Sequence, residues 1–244
     1  MNIFKQIEEA QFIFEKKNRF VAFWTNPFYL MRKGLYLNIK ELAPVLKGSV
    51  LDFGCGSKPY ERLFVNCSDY KGIDINLSGH RHTNEKIDIF YDGNKFPIKD
   101  ESFDNVFSSE VIEHISNIDD IIDEIYRVMK KGGLLLITTP FLWNENEAPY
   151  DFARYTSFGL KVLLEKHGFE IIEQRKSMNY IQIIYQMKAE YWRNYFSKFQ
   201  SIFLKRIVQI FVISSITFKG LAFGVILPKD DSLYGNNIFL CKKR

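Results

Sequence analysis

The segment Val50–Tyr60, VLDFGCGSKPY, restricts the fold of this chain more than any other. A short apolar run delivers Asp52, then meets Gly54 and Gly56 with a single residue between them. Glycine adopts positive φ freely and lets a ligand touch the backbone, so the pair predicts a tight turn from a buried strand into a helix. In an open α/β sheet, ligands bind beyond the carboxyl ends of the strands, where such turns lie. A dinucleotide turn would carry a third glycine where Pro59 stands, and no Walker A loop is present.

Apolar runs at 49–53, 70–75, 86–91, 103–108, 134–138, 169–174 and 237–241 predict seven strands. Ile118, Ile121, Ile122, Ile125 and Val128 recur at helical spacing between the fourth and fifth, with a turn at 130–133 before the fifth. Another helix follows Thr156, to about His167. This alternation predicts an α/β fold, a Rossmann-like, mostly parallel seven-stranded sheet with helices on both faces. Four segments are expected. Residues 1–47 form an N-terminal helical cap, with Ile3, Ile7, Ala10, Phe12 and Phe14 near helical spacing and a second helix from Phe28 to Leu46. Residues 48–176 form the core, 177–231 a helical insertion, and 232–244 the last strand of the core.

Thirty-three Lys and Arg against 29 Asp and Glu leave a net charge of only +4, not the footprint of a dedicated nucleic-acid binder. Cys55, Cys67 and Cys241 fit neither a disulfide framework nor a zinc motif, so no metal site is expected and a reducing cytoplasm is the expected compartment. Acidic residues stand near the start, where a signal peptide would be apolar. The stretch 207–227 is long enough to span a bilayer, but Gln209, Ser214, Ser215, Thr217 and Lys219 point to a buried or surface-lying helix.

The glycine turn, taken with Asp52 and Cys55, resembles the first motif of class I S-adenosylmethionine (SAM) methyltransferases. The resemblance implies SAM as cofactor, with Cys55 contributing backbone rather than sulfur. Asp74 lies 18 residues after Gly56, beside Ile75, at the end of the second strand. Its carboxylate suits the two ribose hydroxyls. Asp92 and Gly93 stand where the family places the adenine. Together with Val111–His114 and Arg127–Gly133 they resemble the type 11 branch, over about residues 48 to 175. Ser109 and Glu110 are expected in the cofactor cleft, and Lys58 or Arg62 at the methionine carboxylate. A narrower resemblance, at Gly54–Tyr60 and Asn146–Thr156, is to a bacterial subgroup associated with cell-surface polysaccharide synthesis. The subgroup has His where this chain has Asn146 and Tyr150.

SAM brings its own electrophilic methyl group, so the protein must align an acceptor, exclude water and take up a proton. The loop 141–156 offers Glu147 and Asp151 as bases, four residues apart and brought together by a helical turn, with Arg154 orienting the acceptor or pairing with Asp151. His114 is the nearest histidine; His80 and His82 are expected in a surface loop. The expected reaction is methyl transfer to an oxygen, less readily a nitrogen, of a small acceptor, with a sugar of a surface glycan favoured by the subgroup resemblance. The alternatives are a lipid or quinone-like acceptor, RNA, or a SAM-binding module without turnover. The aromatic and basic stretch 180–227 reads as a lid, as a peripheral contact with an anionic membrane at its cytoplasmic face, or as helices packed on the core or in a homodimer.

Overall fold

The computed structural model describes residues 22–24, 26–75 and 86–244. The expected helix around Ile3–Phe14 and the loop histidines His80 and His82 lie outside the described residues. The chain forms two compact units, one of residues 38–175 with 236–244, the other of residues 1–37 with 176–235.

The first unit carries a seven-stranded sheet. Its strands are β1 (Gly48–Phe53), β2 (Cys67–Ile75), β3 (Ile89–Tyr91), β4 (Phe103–Ser109), β5 (Met129–Pro140), β6 (Phe169–Lys176) and β7 (Asn236–Lys243). They lie in the order β3-β2-β1-β4-β5-β7-β6. The pairs β1–β2, β1–β4, β2–β3 and β4–β5 are parallel, and β7 runs antiparallel to β5. The strand order reverses direction between β1 and β4, and that switch point is where a crevice opens at the carboxyl edge.

The central strands are buried on both faces, so they read as near-continuous apolar runs, as at Leu135, Leu136 and Ile137. Helix α1 (Tyr29–Leu42) precedes the sheet and ends in a 3-10 turn at Ala43–Val45. Helix α2 (Ile118–Val128) buries Ile121, Ile122, Ile125 and Val128, the positions its spacing predicts. Helix α3 (Ser157–Lys166) is capped by Thr156, whose side-chain oxygen accepts the Gly159 N–H at 3.0 Å, and buries Leu160 and Leu164. Phe53, Tyr91 and Phe96 form a buried aromatic cluster with centroids 5.1 to 5.9 Å apart.

Two local expectations are corrected. The glycine turn after β1 enters a single 3-10 turn, Glu61–Leu63, and not an α-helix. Lys58 holds φ at +55°, outside the right-handed helical region, so the chain between Gly56 and Pro59 runs as turns. Strand β5 begins at Met129, so residues 130–133 belong to the strand and not to a turn before it. Gly133 makes this feasible, because a Cβ there would lie 2.2 Å from the Asp104 carbonyl oxygen of β4.

In the second unit the stretch 180–227 is two helical arms. Helix α4 (Tyr180–Ser197) opens with a capping box, in which Asn179 and Gln182 each accept the other's backbone N–H at 3.1 Å. Helix α5 (Ile202–Val208) continues through a π turn at Gln209–Ile213 into α6 (Ser214–Ile226). The arms touch closely where side chains are absent. A Cβ at Gly220 would lie 2.8 Å from Tyr185 Cβ, and one at Gly224 2.6 Å from Gln182 Cγ. Ala189, Val208, Ile213 and Ile216 fill the seam, flanked by Trp192 and Phe196. Gln186 ties α4 to the Pro27 carbonyl at 2.8 Å, and the Arg193 guanidinium lies 5.1 Å over the Phe28 ring.

Candidate functional site

The glycine turn sits at the carboxyl end of β1, at the switch point. Gly54 adopts φ +71°, and its N–H donates to the Ile73 carbonyl at 2.9 Å. A Cβ on Gly54 would lie 2.3 Å from Val111 Cγ2, so the turn packs directly on the exit of β4. Gly56 differs. Its φ is +44°, and a Cβ there would meet nothing within 4 Å. Its N–H donates to Asp74 Oδ2 at 2.9 Å, while Asp74 Oδ1 accepts the Ile75 N–H at 2.8 Å. The carboxylate is thus fixed in orientation at the end of β2, beside the open face of Gly56.

Beneath the turn, Asp52 is buried. Burial pushes its carboxyl up to about 7, although the Tyr70 hydroxyl donates to it at 2.7 Å. Cys55 is buried and burial pushes its thiol up, so it packs and does not attack. A Cβ on Gly72 would lie 2.4 Å from Cys55 Sγ. The Lys58 ammonium pairs with Asp88, which also accepts the Gly72 N–H at 2.7 Å. Arg62 is exposed. Asp92 is exposed and closes its own turn, its Oδ1 accepting the Asn94 and Lys95 N–H groups at 2.9 and 3.0 Å. Those two bonds, that to Lys95 first, hold its carboxyl below the usual range. Gly93, at φ +91°, stands against Ile75, whose Cδ1 would be 3.3 Å from a Cβ.

At the exit of β4, Ser109 and Glu110 are tied to β5 and β7. Glu110 takes φ +59° and accepts from Thr138 Oγ1 at 2.9 Å and from Asn236 Nδ2 at 2.6 Å. Ser109 Oγ shares the Thr138 hydroxyl at 2.9 Å. Enclosure pushes the Glu110 carboxyl up to about 7. Glu113 is buried, reached by the Thr139 hydroxyl at 3.2 Å, and burial followed by the nearby Glu110 charge pushes it up to about 8.

The loop after β5 folds back over this exit. The Glu113 carbonyl accepts the N–H groups of Phe152 and Ala153 at 2.8 and 3.2 Å. Arg154 grips Asp151 with two bonds, of 2.5 and 2.6 Å, and Asp151 Oδ2 also accepts the Asn146 N–H at 2.8 Å. The Arg154 bond holds the Asp151 carboxyl below the usual range. His114 lies at the convergence point. Its Nδ1 is 2.6 Å from the Tyr150 carbonyl and 3.9 Å from Asp151 Oδ1, while Nε2 is 3.7 Å from Glu113 Oε1 and 3.9 Å from Glu147 Oε2. A carbonyl only accepts, so Nδ1 carries the proton and Nε2 of the neutral ring keeps its lone pair.

The expected helical turn joining Glu147 and Asp151 is corrected. Glu147 holds φ +51° before a cis Ala148–Pro149 bond, and residues 144–156 form no helix. The two carboxylates flank different nitrogens of His114 instead. Glu113, Thr138 and Asn236 belong to the cluster and were absent from the sequence-based candidates. Only Asn236 left a signal, as a polar residue entering an apolar strand. Among the described residues, no group of His, Cys, Asp and Glu is arranged to hold a metal ion.

A family model described as "Methyltransferase domain" matches residues 24–174. A probable S-adenosylmethionine-dependent methyltransferase of Mycolicibacterium smegmatis is 28% identical over 134 residues, covering 50% of this chain and 52% of that protein. A ubiquinone biosynthesis O-methyltransferase of Bartonella bacilliformis is 29% identical over 108 residues, covering 41% of this chain and 44% of that protein. The chain thus spans about half the length of these curated relatives. The crystal structure of a SAM-dependent methyltransferase from Archaeoglobus fulgidus superposes with a TM-score of 0.54 at 18% identity, covering 86% of this chain and 94% of that one, and shares the fold.

Proposed function

The chain belongs to the methyltransferase-domain family, and from that premise we propose that it transfers a methyl group from SAM to an oxygen of a small acceptor. The observation that carries this is the pairing of Gly56 and Asp74 at the switch point. An open face on Gly56, beside a carboxylate whose orientation the Gly56 and Ile75 N–H groups fix, fits a ribose and its attached chain. The residues fit SAM in other respects too. Gly93 and Ile75 form a small apolar wall beside Asp92, and Ser109 and Glu110 close the opposite side. Lys58 serves the turn through Asp88, keeping its shape.

SAM, when bound, supplies a methyl group made electrophilic by its sulfonium. The chain's own residues do the rest. Asp74 holds the ribose, and the loop 141–156 excludes water over the β4 exit. His114 Nε2 takes the acceptor's hydroxyl proton. Asp151, locked by Arg154 and the Asn146 N–H, braces the loop that aims the imidazole, and Glu147 faces the ring from the exposed side. This arrangement favours His114 as base over the two carboxylates.

For the acceptor, the relatives support an apolar quinone-like or lipid hydroxyl, through the ubiquinone biosynthesis O-methyltransferases among them. The glycan sugar rests only on the loop resemblance, which departs at Asn146 and Tyr150. A peripheral contact of residues 180–227 with a membrane agrees with the apolar acceptor. The test is calorimetry with S-adenosylhomocysteine, followed by turnover on a panel of catechols, quinols and nucleotide sugars, read by mass spectrometry. Methylated catechol or quinol is the expected product. A methylated sugar alone would restore the glycan reading, and S-adenosylhomocysteine binding without product from any acceptor would favour a non-catalytic module.

A further inference from the structure

Residues 202–226 form 25 consecutive helical residues that are predominantly apolar and less than half buried. The inner face is accounted for by Val208, Ile213, Ile216, Gly220 and Gly224, packed toward α4. The outer face is apolar and exposed. Phe203 is 72% exposed, Phe211 67%, Phe218 62% and Val225 81%. They recur at intervals of eight, seven and seven residues, so they lie along one stripe down the helix. An exposed apolar stripe of this length marks a surface that meets an apolar neighbour.

The charge around this stripe is of one sign. From Tyr191 to Lys229 the sequence has six basic residues and no acidic one. Lys198, Arg206, Lys219 and Lys229 are exposed, and Lys219 borders the stripe beside Phe218. We propose that this face docks on the surface of an anionic lipid bilayer, aromatic side chains in the acyl boundary and lysines at the phosphates.

Two other occupants fit less well. A second copy meeting this face about a twofold axis would set the exposed cations Lys198, Arg206, Lys219 and Lys229 against their own copies. A bilayer-spanning arrangement has the length, about 37 Å for 25 residues. It would, however, draw α4 into hydrocarbon with its buried Glu190, which pairs with Arg193 at 2.5 and 2.8 Å.

The experiment is flotation of the full chain with vesicles of phosphatidylcholine, with or without phosphatidylglycerol, with S-adenosylhomocysteine affinity measured on the same samples. Wild type is expected to bind the anionic vesicles at least about tenfold better than the neutral ones, and to be released by salt and by alkaline carbonate. The exposed pair F211E with F218E should lose about tenfold or more, and K198E with K219E about fivefold per charge, each with cofactor affinity unchanged. Equal binding to both vesicles, or none by a wild type that binds S-adenosylhomocysteine, would overturn the proposal. So would resistance to carbonate, which marks a span, or a wild-type dimer that F218E dissociates. Because cofactor affinity is read separately, failure of the lipid surface and failure of the methyltransferase reading give different results.

Discussion

The two sides of the crevice at the carboxyl edge are built from different materials. The β1–β2 side is backbone geometry, in which Gly54, Gly56 and Gly72 take positions that a side chain would strain or block. The β4–β5 side is made of side-chain contacts, with Glu110 held by Thr138 and Asn236, Glu113 by Thr139, Asp151 by Arg154, and His114 among the carboxylates. A backbone cradle can serve a ligand that never changes. Side-chain contacts can be altered by substitution while the backbone turn is left as it is.

That contrast can be tested by damaging each side separately. The largest effect is expected at Gly54. Gly54→Val drives methyls into Val111 at positive φ, and should abolish S-adenosylhomocysteine binding and cost about 2–4 kcal/mol of stability, read by calorimetry and denaturant melts. Next is His114→Gln, expected to cut turnover by about 10²- to 10⁴-fold while cofactor affinity stays within about twofold. A parallel fall in cofactor affinity would mean that the two sides are not separable. Asp74→Ala should do the reverse, weakening S-adenosylhomocysteine about 10- to 100-fold while leaving turnover at saturating SAM close to wild type.

The smallest effect is on pH dependence, and it sharpens the contrast because it concerns carboxyls on both sides. Asp52, Glu110 and Glu113 are raised by burial to about 7, 7 and 8, from 3.8, 4.5 and 4.5. The folded state therefore favours their protonated forms. Their contribution is complete below the unfolded values and is lost as pH rises through 7 to 8. Asp104, held at about 2 first by Lys130, acts oppositely and only below its unfolded value of 3.8. The denaturant midpoint should thus be higher near pH 5.5 than near pH 8. A midpoint that rises across that interval would mean that these carboxyls stay charged in the fold.

The same contrast explains what could be read in the sequence. Backbone requirements are written in residue type. Only glycine serves at Gly54, so the turn, the strand before it and the acid at Asp74 were legible from spacing alone. The seven strands and α2 were legible because burial on one or two faces leaves a period. The side-chain contacts left no such mark. Nothing in the sequence shows that the 3-10 turn after β4 buries Glu113, and Asn236 meets Glu110 from 126 residues away. The pairing of Glu147 with Asp151 was misread because an i, i+4 relation holds only in a helix, and Pro149 lies between them. The glycine turn reads as a helix start in the sequence because Lys58 carries no sign of its positive φ.

The place of β7 has a consequence for how the molecule is made. This strand lies between β5 and β6, although both precede it in the chain. During synthesis β5 must therefore wait, its outer edge unpaired, while the whole helical stretch from 177 to 235 leaves the ribosome. At typical elongation rates of about 5–20 residues per second, that is an interval of several seconds. When β7 arrives it closes the sheet and delivers Asn236 to Glu110 in the same event. A nascent chain halted before residue 236 would hold the cofactor turn without its finished neighbour across the crevice. Completion of this edge of the crevice is thus a late checkpoint of translation, and the exposed β5 edge is the point at which a chaperone or an aggregating neighbour could intervene.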